Sequence, residues 1–201
     1  MPLAIDHVVI AVRDLDAAAA SFRALGFTLT PRGHHSIGSQ NHCIMFGATY
    51  VELLAAPKSH PWLDYYRRFL EGGDGLAAVA FATPDADEAY RELKERGVPV
   101  RAPMDLSRPV EDGVARFRLV QIDNTKGFSV FVCQHLTPEL VWRSPWQRHA
   151  NGATELTGIH VPAPQPFEGL PAGIHWNAPA ALRLRGAGKA AQAHGVSLAF
   201  V

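Results

Sequence analysis

Residues 5–18 read IDHVVIAVRDLDAA, a Val/Ile-rich run followed by an aspartate and then an alanine-rich run. Branched side chains suit a pleated, half-buried surface, so Ile5 to Val12 reads as a strand. Asp14 is placed to accept backbone N–H groups as an N-cap, and the alanine-rich run to Leu25 has high helix propensity. Gly26 supplies the residue that commonly ends a helix. Downstream, Phe27 to Thr30, His42 to Phe46 and Tyr50 to Ala55 read as three more strands, with a polar, glycine-containing loop from Gly33 to Asn41. The unit is β-α-β-β-β.

The same unit occurs twice. A shift of 71 residues lays Val8 on Val79, Ala11 on Ala82, Asp14 on Asp85, Asp16 on Asp87, Gly26 on Gly97 and Leu29 on Val100. The inner helix face repeats as well: Leu15, Ala18, Ala19 and Phe22 fall on Ala86, Ala89, Tyr90 and Leu93, at the spacing of one buried stripe. Strands at Leu76–Ala82, Val98–Ala102, Val114–Ile122 and Ser129–Gln134 complete the second copy. The expected division is a first module over 1–58, a linker helix within 59–74, a second module over 75–136 and a C-terminal extension over 137–201. Trp62, Tyr65, Tyr66 and Phe69 give the linker helix an aromatic face that reads as a packing device. The extension, with short strands near Leu156–Val161 and Ser197–Val201, is either a truncated third unit or a flap against the pair.

Composition narrows the function. Lys+Arg and Asp+Glu number 19 each, so no basic surplus exists to neutralise phosphates or dock on an acidic membrane. A hydrophobic content of 47% suits a globular chain. The two cysteines, Cys43 and Cys133, lie inside apolar strands and read as buried hydrophobes rather than a disulfide framework. No leader or long apolar span is evident, which makes a cytoplasmic protein the expectation. Dinucleotide, P-loop and α/β-hydrolase signatures are missing, so no organic cofactor is expected.

Alternation places Ile5, His7, Val9 and Ala11 on one face of the first strand, and Tyr50, Glu52 and Leu54 on one face of the fourth. An imidazole and a carboxylate inside apolar strands are costly unless they pair, bind a metal or line a polar cavity. By the same rule His42 shares a face with Ile44 and Phe46, which favours packing.

IDHVVIAVRDLDAA followed by LGF and YVELL resembles the first module of the vicinal oxygen chelate (glyoxalase/bleomycin-resistance) superfamily. The spacing His35-x-x-Gly38-x-x-Asn41 ahead of Tyr50-x-Glu52-Leu53, and CQHLTPELVW at 133–142, is similar to its glyoxalase-like subfamily. The resemblance implies an α+β fold in which two modules form a cup-shaped, eight-stranded mixed sheet with helices outside. It also implies metal ligands from the first and fourth strands of both modules. His7 and Glu52 match the first module's positions, but Ala78 and Phe131 stand at the second module's and cannot ligate. A divalent metal (Zn, Fe, Mn or Ni) would then need a third ligand, from His135 or His42 if either points inward, or from His35 if its loop folds over the cup. Without a metal, His7 and Glu52 form an acid/base pair, with His35 and Asn41 donating to a substrate oxygen and Gly38 letting the loop approach the ligand. Tyr50, Phe131 and Trp142 would add an aromatic wall. The intact His/Glu pair favours a lyase, isomerase or dioxygenase acting on a small molecule. The alternatives are a sequestration protein of the bleomycin-resistance type and an interaction domain that has lost activity. Modules of this superfamily also pair between chains, so a homodimer is an expectation.

Overall fold

The computed structural model describes residues 3–123 and 127–201. Elements run in the order β1 (Ala4–Ala11), α1 (Leu15–Ala24), β2 (Gly33–His34), β3 (Gln40–Met45), β4 (Tyr50–Ala55), α2 (Asp64–Glu71), β5 (Gly75–Ala82), α3 (Ala86–Glu95), β6 (Met104–Val110), β7 (Gly113–Ile122) and β8 (Ser129–His135). Five further strands follow: β9 (Glu155–Val161), β10 (Ile174–Trp176), β11 (Ala181–Arg185), β12 (Ala191–Ala193) and β13 (Val196–Phe200).

The first eight strands form one sheet in the order β2-β3-β4-β1-β5-β8-β7-β6. The two halves mirror each other across β1 and β5, which pair antiparallel, while β1–β4 and β5–β8 are parallel. The free edges then approach one another. The Ser36 N–H donates to the Ser107 carbonyl (2.8 Å), and the Ser107 N–H donates to Ser36 Oγ (3.2 Å), so the sheet curls into a cup. Asp14 and Asp85 cap α1 and α3 by accepting from Ala17 N and Glu88 N, as the repeat predicts.

Two strands lie elsewhere than the sequence suggests. Phe27–Thr30 carries no ladder: Thr28 N–H donates to His149 Nδ1, its hydroxyl donates to the Arg148 carbonyl, and the edge strand is displaced to Gly33–His34. Val98–Ala102 makes a single bridge, Val100 to Ile122, and the strand forms at Met104–Val110. Pro99 and Pro103 flank that bridge, and a residue without an N–H cannot donate to a ladder.

After two short 3-10 turns, Pro138–Leu140 and Ser144–Gln147, the chain forms a separate five-stranded sheet, order β10-β9-β11-β13-β12, with no α-helix after β8 among the described residues. It lies against the pair of modules through an extensive apolar contact. Ile159, Val161, Leu182, Leu184, Val196 and Leu198 join Val8, Ile10, Phe22, Ala89 and Leu93 in one apolar cluster, so this sheet packs against the helices on the outer face of the cup. Among the described residues, no helix is long and apolar enough to cross a membrane.

Because that outer cluster is continuous, the two sheets should unfold together. Ile159 is fully buried, and Ile159→Ala is expected to cost about 3 kcal/mol. Urea denaturation followed by tryptophan fluorescence and far-UV circular dichroism should give one coincident, shifted transition; two separated transitions would mean that the sheets unfold apart.

Candidate functional site

The inner face of the cup holds a second apolar cluster built from Val9, Ala11, Tyr50, Leu54, Phe117, Phe131 and neighbours. Into it opens a cleft of about 650 Å³, mouth included, whose polar lining includes His7, His35, Ser39, Asn41, Glu52 and Arg108. Trp62 and Leu63, just ahead of α2, and Tyr66 within it also line the cleft, so part of the aromatic linker segment belongs to the site as well as packing.

Strand β1 departs from simple alternation at the residues that matter most. Its register against β5 slips between Ile5 and His7, a β-bulge that leaves Asp6 as an extra residue. Ile5 consequently packs toward the helices, whereas Asp6 and His7 hydrogen-bond each other on the buried inner side. Asp6 Oδ1 lies 2.5 Å from His7 Nδ1, and Asp6 Oδ2 lies 2.9 Å from His135 Nε2. Burial alone would raise the Asp6 carboxyl, but hydrogen bonds to His135 and His7 outweigh it and hold its pKa at about 2. A carboxylate so held accepts the Nδ1 proton of His7 and leaves Nε2 turned away from it.

His7 Nε2 lies 3.8 Å from Glu52 Oε2. Glu52 stands two residues beyond Tyr50 on the same face of β4: the register places Tyr50 opposite His7 and Glu52 opposite Val9, and Tyr50 stacks on the imidazole with centroids 4.3 Å apart. Phe131 meets the same ring edge-on at 5.4 Å. The other carboxylate oxygen, Glu52 Oε1, accepts from Asn41 Nδ2 at 2.7 Å and has His35 Nε2 at 4.0 Å. His35 is tied through Nδ1 to Ser39 Oγ, and burial lowers its pKa to about 4 against the opposing pull of Glu52. It is therefore neutral near pH 7.

Other sequence expectations come out differently. Asn41 does not point a free amide at the cleft; it donates to Glu52 and accepts from Arg108 Nη1 at 3.1 Å. Gly38 has φ +98°, and a Cβ there would lie 2.8 Å from the Lys58 side chain, so it turns the loop onto the segment after β4 rather than onto a ligand. Trp142 is outside the cleft lining and buttresses Tyr50 and His135, at 6.0 and 4.5 Å between centroids. His42 faces outward and its ring meets the Thr30 carbonyl, a packing role. His149 ties Met45 O to Thr28 N, and His194 pairs with Asp74.

The residues that the sequence reading missed are Asp6, Arg108 and Cys43. Asp6 stands in plain view within IDH, but only the bulge turns it toward His7. Arg108 belongs to the strand that the sequence places too early. Cys43 is buried, as expected, yet faces the cleft, and burial raises its thiol pKa to about 11.

The donors in the cleft are poorly suited to a metal. Ala78 and Phe131, at the second module's two positions, carry no ligand atom, and the guanidinium of Arg108 shares the cleft with Glu52. His135 does not join His7 and Glu52; it is held by Asp6. Among the described residues, the one trio of ligand atoms mutually within 4.8 Å is Asp6, Cys133 and His135. That trio is already satisfied in part by the Asp6–His135 bond, and burial holds the Cys133 thiol well above its usual pKa, so binding an ion there requires losing both a bond and a proton. The cleft does not fit the two-module metal site.

His35 yields a pH test. The unfolded chain protonates this imidazole below about 6.5, the folded one only near 4, so the unfolded state binds more protons in between. Stability should fall as pH drops from about 6.5 to 4. His35→Gln should remove roughly 2–3 kcal/mol of that loss, read from urea midpoints across the range. Parallel wild-type and variant profiles would contradict the burial of a neutral His35.

The sequence model of a family described as a glyoxalase-like domain matches residues 5–173. The fold is similar to that of a hypothetical protein from Staphylococcus aureus, with TM-score 0.75 at 14% identity over 100% of this chain and 99% of that one. A hypothetical protein from Bacillus halodurans has TM-score 0.52 at 21% identity, over 67% of this chain and 95% of its own. Methylmalonyl-CoA epimerase from Mycobacterium tuberculosis has TM-score 0.50 at 23% identity, over 65% and 86% respectively. At these identities the likeness is one of fold. The first match spans the outer sheet as well as the cup. No curated protein matches the chain.

Proposed function

The chain belongs to the glyoxalase-like domain family of the vicinal oxygen chelate superfamily, and from that premise we propose that it is an enzyme moving a proton on a small oxygenated molecule, of isomerase or lyase type. One observation carries the reading: two proton-exchanging side chains, His7 and Glu52, are buried 3.8 Å apart in a largely apolar cleft, each held by a partner on its far side. Burial of this kind costs free energy and persists where the groups have work to do.

Each residue has a role in this reading. Glu52 Oε2 is the oxygen not tied to Asn41, and it takes the proton from a carbon beside a carbonyl. His7 Nε2, with Nδ1 committed to Asp6, receives that proton from Glu52 or delivers it to the adjacent substrate atom. Asp6 stabilises the imidazolium that forms in passing and is a positioning residue. Arg108 and neutral His35 stand beside Glu52, where negative charge develops on the substrate oxygen. Leu54, Leu119 and Phe131, with Tyr66 of α2, keep water from the reacting atoms.

A second reading rests on the Asp6, Cys133 and His135 trio, whose mixed donors suit a zinc-like ion. Asp6, Cys133 and His135 would hold such an ion, at the cost of the Asp6–His135 bond and the Cys133 proton, and it would supply Lewis-acid chemistry. A sequestration protein would use the same aromatic walls but has no need of an oriented His7.

The test is proton exchange in D2O followed by 1H NMR, over a panel of small aldehydes and 2-oxo and 2-hydroxy carbonyl compounds. His7→Ala and Glu52→Gln should each lower the exchange rate of the best substrate by about 10²–10⁴-fold. Protein purified without a histidine tag should keep its rate in EDTA. Unchanged rates in both variants would overturn the acid/base pair. Stoichiometric zinc, iron, manganese or nickel that EDTA removes together with activity would replace this reading by the metal one.

A further inference from the structure

Among the described residues Arg108 is the only arginine on the cleft wall, and it is 5% exposed. Among the described residues no carboxylate lies within salt-bridge distance of it. Nη1 donates to Asn41 Oδ1 at 3.1 Å and leans on Cys43 Sγ at 3.8 Å; Nε is buried with no acceptor, and Nη2 has none among the described residues. Removing a guanidinium from water costs several kcal/mol unless an anion answers it. Glu52 answers only at second hand, since the carboxamide of Asn41 stands between the two charges.

The chain makes deliberate room for this cation. A Cβ on Gly33 would fall 2.5 Å from Arg108 Cδ and 2.3 Å from Asn41 Oδ1, so a side chain there would evict both. The stem thus enters through the β2–β6 seam, beside Gly33. The charged end stands among cleft residues: Asn41, Cys43 and the ring of Phe117, 5.9 Å from the guanidinium carbon. Around it the cleft is apolar, with Leu106, Leu119, Met104 and Trp62.

We propose that Arg108 is the receptor for a substrate carboxylate, and that the substrate is therefore a small carboxylic acid with an apolar or aromatic body. This rests on the proton-transfer reading and adds the substrate class to it. A planar guanidinium matches a carboxylate through paired N–H donors, and the apolar walls hold the rest of the molecule. Arg108 and Glu52 are separated by one carboxamide, so the bound carboxylate sits on the carbon that loses the proton or on the one beside it. The same cation then steadies the negative charge that proton removal spreads toward the carboxylate.

Calorimetric titration of the full chain with phenylpyruvate, 4-phenylbutyrate and hexanoate, each beside its primary amide, tests this. At least one acid should bind wild type ten-fold or more tightly than its amide. Arg108→Met should abolish that preference, and Arg108→Lys should keep a reduced one, which preserves the test if the methionine variant does not fold. Glu52→Gln, which blocks proton transfer, should leave the preference intact or enlarged, so that recognition and turnover fail separately. Equal binding of acid and amide in every pair, or a preference that survives Arg108→Met, would overturn the proposal.

Discussion

A single carboxylate shared between two imidazoles organises the inside of this protein. Asp6 reaches His7 and His135 at once, joining the first strand of one half to the last strand of the other at the point where the halves meet. Its two histidine partners outweigh the burial penalty, which is why the group remains charged at the bottom of an apolar cup. The arrangement depends on one backbone irregularity. Without the bulge at Asp6, the alternation of β1 would send this carboxylate toward the helices, and His7 would lose the partner that fixes its orientation. Tyr50, stacked on one face of the imidazole, and Phe131, edge-on to it, complete the mould.

The fold is duplicated, but the chemistry is not. In register with His7 and Glu52, the second half presents Ala78 and Phe131, and these complete the apolar wall facing the polar one. What the second half adds instead is Arg108, a fixed cation that enters through the seam between the sheet edges. A cup with one polar and one apolar side suits an amphiphilic guest, polar where the proton moves and apolar elsewhere. The five-stranded sheet takes no part in the cleft; it covers the helices and makes the outer core continuous.

Much of this was legible in the sequence because duplication and helix capping are local signals. The 71-residue repeat marks both modules, and Asp14 and Asp85 cap the helices where they stand. His7, Glu52, His35 and Asn41 do converge, and period-2 alternation predicted the inward face of β4 correctly. The misses share one cause, interactions with residues distant in the chain. Phe27–Thr30 looks extended but is captured by His149 and Arg148, about 120 positions away, and Val98–Ala102 is interrupted by prolines so that the ladder forms later. Displacement of that strand hid Arg108. The bulge hid Asp6, since a slip against β5 leaves no signature in β1 alone. Asn41 reads as a donor to substrate from the sequence because nothing there reveals that Glu52 and Arg108 occupy both ends of its carboxamide.

The account turns on where the proton of His7 resides, and 15N NMR of histidine-labelled protein at neutral pH reads it directly. Held by Asp6, the ring should carry its proton on Nδ1 and present an unprotonated Nε2 toward Glu52, and Asp6→Asn should shift the population to the other tautomer. A wild-type ring protonated on Nε2 alone would contradict the account, because His7 would then be a fixed donor to Glu52 and not its partner in moving a proton.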